Sequence, residues 1–243
     1  MNLTTRAVLT AAASAAVAIG AAIGEVPLIA VLGVLAVIFA VGWSSLMQLP
    51  SRGGSTLVVS LTAVGALACV ALTQNEPWLR FLPVVLAFGV FLAFINEMLR
   101  PVPRTNLIDS LFGTVTGIVV TICGAGWLAA FRIEHGLAVV MISAAALAAA
   151  SAAGALKGPR WLVVVATFAL GTAAGVVTAH FLGATTLLTG LLQGALAGLV
   201  ISALHALVHR LPELTNRRSA ASMIVLPILA LGVLVYVAGR LVF

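Results

Sequence analysis

The sequence is short of charge. Only 7% of its 243 residues are Asp, Glu, Lys or Arg, where an ordinary soluble domain carries about 25%. So few charges cannot cover a water-facing surface, which excludes a soluble globular protein. Acidic residues are scarcest, six against twelve basic ones, and lysine is reduced to Lys157. Cysteine is reduced to Cys69 and Cys123, both inside apolar runs. A disulfide would need two particular helices to meet at matching depth, so both cysteines read as packing residues. The formal charge of +6 does not point to nucleic acid, because the basic residues are scattered through short connections and form no cluster on one solvated face.

What the sequence has is apolar: 63% of its residues are hydrophobic. The dominance of Ala, Gly and Val, with Arg far above Lys, suggests a GC-rich bacterial genome and hence a bacterial cytoplasmic membrane. A bilayer core needs about 20 apolar residues per helix. Runs of that description lie at 7–24, 26–45, 56–73, 82–99, 110–131, 137–156, 161–180, 184–207 and 220–239. They predict an all-α polytopic transmembrane helix bundle of about nine spans, a single integral-membrane domain over residues 1–243 with no soluble domain. Most breaks carry Pro, Gly or charge, as in Gly24-Glu25-Val26-Pro27 and Lys157-Gly158-Pro159-Arg160, and the break near Gly183 is the weakest. The start, one Arg before an Ala-rich run, also has the look of a cleaved signal, but a second apolar run follows at once, as in a helical hairpin.

Cytoplasmic loops retain an excess of Lys and Arg. Nine spans place Arg6, Arg52, Arg100, Arg104, Lys157, Arg160, Arg210, Arg217 and Arg218 on one side and Arg80, Arg132 and Arg240 on the other. The expectation is therefore a cytoplasmic N-terminus and an extracytoplasmic C-terminus. Trp43, Trp78, Trp127 and Trp161 all fall near span ends, where an indole prefers the headgroup region.

Glycines recur at four-residue spacing: Gly20 and Gly24, Gly113 and Gly117, Gly171 and Gly175, and Gly190, Gly194 and Gly198. Such stripes allow close backbone approach between helices, within the chain or with other membrane proteins. The Ala-rich sixth run lacks bulk on every side and is expected at the centre of the bundle. The stretches from Gly113 and from Gly171 read alike, either as an internal repeat or because they draw on the same few residue types.

An ion-coupled transporter usually shows an ionisable residue in mid-span, and no charge falls there. Gln193 is the clearest polar residue near a span centre, a pore-lining candidate or an interhelical hydrogen bond. His205 and His209 share a helix face but lack a third ligand, so no metal is expected. No His-Glu-x-x-His, Gly-x-Ser-x-Gly or phosphate loop occurs, so no catalytic residue and no cofactor is assigned. The two densest polar segments lie on the basic side. Glu97, Arg100, Arg104 and Asp109 in one, with Arg210, Arg217 and Arg218 in the other, form a candidate site for an anionic headgroup or phosphate, or else are topogenic arginines meeting membrane lipids.

The order of a Thr- and Gly-rich fifth span, Gly113 to Thr121, further apolar spans, and a polar loop before a last span reading Leu226-Pro227-Ile228-Leu229 resembles the phosphatidate cytidylyltransferase family of multi-spanning lipid enzymes. The resemblance implies a headgroup enzyme or an inactive relative. That family's C-terminal signature, a Lys-Arg pair, a Lys-Asp, a His-Gly-Gly and a final Asp-Arg-x-x-Asp, is absent, so no catalytic residue carries over. Many short-looped spans without a catalytic constellation favour a permease-like or translocation component. The alternatives are a cytoplasmic-face lipid-headgroup enzyme and a structural subunit of a membrane complex.

Overall fold

In a hydrocarbon solvent every backbone N–H and C=O must be satisfied within the chain, and an apolar run answers that demand by becoming a helix. The computed structural model describes residues 3–101, 106–156, 158–183, 186–208 and 217–242, and among these every element is a helix. They are α1 (Leu3–Ile23), α2 (Glu25–Leu46), α3 (Arg52–Leu72), α4 (Leu82–Met98), α5 (Leu107–Gly124), α6 (Gly126–Phe131), α7 (Gly136–Ala153), α8 (Arg160–Leu182), α9 (Leu187–Val208) and α10 (Arg217–Val242). Helices α5 and α6 meet at Ala125 and together make one crossing, Leu107–Phe131. Among the described residues eight crossings are long and apolar enough to span a bilayer, and α4, with 17 residues, is a shorter apolar ninth.

The breaks have local causes. Gly24 at φ 147° turns the chain from α1 into α2, a conformation that an L side chain rarely adopts. Gly183, at the break with the weakest sequence signal, ends α8 in the left-handed conformation that a helix C-terminus favours. Pro83 sits at the start of α4, where its missing N–H costs nothing.

Two groups of helices pack around α10. On one side α2 meets α3, and α3, α4 and α5 pack mutually. On the other, α7, α8 and α9 pack mutually, with α1 against α7. Helix α10 touches α1, α2, α5, α6, α7 and α9. The Ala-rich α7 lies between α1 and the α8–α9 pair, since small side chains allow neighbours on several faces.

Glycine decides the closest approaches. Gly171 and Gly175 of α8 lie directly on Gly190, Gly194 and Gly198 of α9, and at Gly175 a Cβ would collide with the Gly190 carbonyl. These stripes are thus occupied within the chain. Gly113 and Gly117 instead make room for the side chains of Leu49 and Trp43, so the two stretches that read alike in sequence pack differently.

Two tryptophans correct the interfacial expectation. Trp127 is fully buried and donates its indole N–H to the Ile228 carbonyl at 2.7 Å. Trp43, also buried, donates to the Gly113 carbonyl at 2.8 Å. An indole whose N–H finds a backbone acceptor can enter the bundle without an unsatisfied donor, which removes its need for the headgroup region. Trp161 is exposed, and Trp78 packs against Arg132.

Candidate functional site

The antiparallel crossings bring the start of α3, the end of α4 and the start of α5 to one end of the bundle, together with the starts of α1 and α10. Among the described residues this end carries Arg6, Arg52, Arg100, Arg160, Arg217 and Arg218. Helix α4 is short: its 17 residues rise about 25 Å, less than the roughly 30 Å hydrocarbon core. Its last turn therefore stays flanked by α3 and α5, and Glu97 in that turn is only 2% exposed.

A buried carboxylate needs a counterion and hydrogen-bond donors. Glu97 has both. Arg100 donates Nη1 to Oε2 at 2.8 Å, and the Ser110 hydroxyl donates to Oε1. The Arg100 side chain is 11% exposed, so the pair is buried on the carboxylate side and opens slightly on the guanidinium side. Ser110 is itself fully buried on α5. One turn further in, Thr114 donates to the Ser110 carbonyl and to the Ser55 hydroxyl of α3 at 3.0 Å. Ser51 at the start of α3 donates to Asn96 Oδ1 at 3.4 Å, while Asn96 Nδ2 is buried and has no partner among the described residues.

The other residues of the anionic-site reading divide. Asp109 lies in the first turn of α5 and is exposed. Arg217 and Arg218 open α10, both exposed, and the Arg218 carbonyl presses on Gly42 of α2. The same turns of α2 send Trp43 to Gly113 and Ser44 to Thr56. The end of α2 thus stands between Arg218 and the Glu97 cluster. Arg104 and Arg210 lie outside the described residues. Gln193 is 1% exposed and donates Nε2 to the Val235 carbonyl of α10 at 3.0 Å, with its Oε1 buried and unpartnered among the described residues. His205 packs against Gly154 at the end of α7. No group of three His, Cys, Asp or Glu that could hold a metal occurs among the described residues, and His209 lies outside them.

No family model matches the sequence, and neither a curated protein nor a solved structure matches it. The site therefore rests on its own geometry.

The opposite end holds a feature that sequence reading took only as loop charge. Arg132, just after α6, uses all five guanidinium N–H groups. Nε and Nη2 donate to Glu25 Oε1 at the start of α2, Nη1 donates to the carbonyls of Val70 and Thr73 at 2.7 and 2.9 Å, and Nη2 donates to Ala71 at 2.8 Å. The carbonyls lie at and just beyond the C-terminus of α3, where a cation also meets the negative end of the helix dipole. The Trp78 ring lies 5.1 Å from the guanidinium carbon. Arg240 pairs with Glu76 at 2.6 Å, and Arg80 lies over Phe81. Glu25, Glu76 and Glu134 balance the three arginines of this end, so the excess positive charge of the described residues lies at the other.

Proposed function

We propose that this chain is a permease-like or translocation component of a bacterial cytoplasmic membrane, with its N-terminus inside and its C-terminus outside. Its cytoplasmic mouth receives an anionic, phosphate-bearing ligand. The observation that carries the reading is the buried Glu97–Arg100 pair between the ends of α3, α4 and α5. An ionised pair is costly at such depth and marks a working site more often than a packing solution. Two further features support the reading. The end bearing the pair holds the excess positive charge of the described residues, which draws anions towards it. That end is cytoplasmic by the basic-loop bias, and the bias is sharper than a count of residues implies, because the arginines at the other end have partners there.

Counterflow in proteoliposomes tests the proposal. Vesicles loaded with unlabelled phosphate or glycerol phosphate are expected to take up the labelled anion with the parent protein and not with Arg100→Gln. If the parent binds these anions but moves neither across the bilayer, the permease reading fails and the headgroup-enzyme or structural-subunit reading takes its place.

A further inference from the structure

The connection between α3 and α4, residues 73–81, crosses the end of the bundle remote from the Glu97 pair. Among the described residues its backbone hydrogen bonds are local, as from Arg80 N–H to the Pro77 carbonyl and from Leu82 N–H to the Leu79 carbonyl. Its root is tied to another element, where Arg132 donates to the Thr73 carbonyl at 2.9 Å. Beyond that root the hold comes from side chains. Glu76 accepts from Arg240 in the last turn of α10 at 2.6 Å, with both side chains 44% exposed. The Arg132 guanidinium carbon lies over the Trp78 ring, 5.1 Å from its centroid, and Trp78 and Leu79 rest half-buried on the hydrophobic core.

Two features oppose a permanent closure. An exposed ion pair gains little, because water and salt screen it. The Trp78 indole N–H is buried with no acceptor among the described residues, and a buried donor without a partner works against the position that buries it. A segment with one firm root, no backbone pairing to the bundle and few buried side chains opens locally while the helices around it stay packed.

We propose that residues 73–81 form an outer lid, rooted at Thr73 and latched at Glu76 and Trp78, which swings away from α10 and uncovers the Arg132–Glu25 pair on the extracytoplasmic side. What the lid admits rests on the permease reading above; its movement does not. The Glu76 latch gives way first, since both of its partners meet water, and Trp78 then leaves Arg132. The N–H groups of Arg132 point in the guanidinium plane to Glu25 and to the carbonyls of Val70, Ala71 and Thr73. A ligand therefore reaches this cation over a face, and Trp78 covers one of the two.

Electron–electron double resonance measures the opening in nanodiscs. Spin labels are carried on Asn75→Cys in the lid and Leu137→Cys at the start of α7, both exposed positions, on a background lacking Cys69 and Cys123. At low salt the parent should give one main distance. A second should appear as sodium chloride is raised, its share growing roughly twofold or more between about 0.1 and 1 M, over which the Debye length contracts from about 10 to about 3 Å. Arg240→Gln should show the second distance at low salt and lose the salt response. Exchanging the charges, Glu76→Arg with Arg240→Glu, should restore the parent pattern. One distance in the parent at every salt concentration, or a salt response that survives Arg240→Gln, overturns the proposal. If Arg240→Gln does not fold, the salt series on the parent decides alone.

The role in transport is read separately. Joining Glu76→Cys to Arg240→Cys with a reducible bis-methanethiosulfonate spacer should stop counterflow, and cleaving the spacer should restore it. Full counterflow through the joined lid overturns the lid as an entrance. A lid that opens in a chain showing no counterflow retires the permease reading and leaves the lid standing.

Discussion

Arg132 and Glu25 are 107 residues apart in sequence and joined by two hydrogen bonds at the end of the bundle remote from the Glu97 pair. The same guanidinium also binds the carbonyls of Val70 and Ala71 in α3 and of Thr73 just after it, so one side chain ties α2, α3 and α6 together.

Replacing Arg132 by Lys should lower thermal stability on the order of 2–4 kcal/mol, because an ammonium has three donors and no planar fork and must leave buried carbonyls open. Glu25→Gln should cost clearly less, since Glu25 is about a third exposed and supplies only part of the network. Fluorescence melts in one detergent compare the two. Equal losses would show that the ion pair, and not the capping of α3, is the stabilising element.

The α8–α9 contact predicts a steric limit. Gly175→Val or Gly194→Val should destabilise by about 1–3 kcal/mol, as expected for overpacking, because the obstacle in each case is opposing backbone. Gly53→Ala, with open space around it, is the control and should leave the melting temperature within error of the parent.

Trp127→Phe keeps the ring in its fully buried place but removes the donor to Ile228. The expected loss is about 1 kcal/mol, a single neutral hydrogen bond. A melt unchanged by the substitution would mean that the indole acts through packing alone.

Topology is tested at two exposed arginines. A cysteine at Arg52 should react with an impermeant maleimide only after the cells are opened, and one at Arg80 should react in intact cells, on a background lacking Cys69 and Cys123. Labelling of position 52 from outside would reverse the orientation and with it the side on which Glu97 meets its ligand.

The class of this protein was legible from the chain alone. Twenty-residue apolar runs between Pro, Gly and charge leave one structural solution in lipid, so the number of crossings and the place of nearly every break followed from local chemistry. The weak break at Gly183 was legible too, for glycine is the residue that takes the left-handed cap. The close pairing of small-residue stripes was announced by their spacing, but not which stripe meets which. That depends on how α10 separates the two helix groups, a property of the whole packing. The indoles of Trp43 and Trp127 stood near span ends in sequence, and only the approach of Gly113 and Ile228 could supply the acceptors that draw them inward. The decisive case is Glu97. In sequence it is one charge in a polar loop shared with Arg104 and Asp109. Its burial exists because a short α4 ends between two longer neighbours and Ser110 of α5 comes within reach, and depth is set by how helices of unequal length are stacked, which no local pattern encodes.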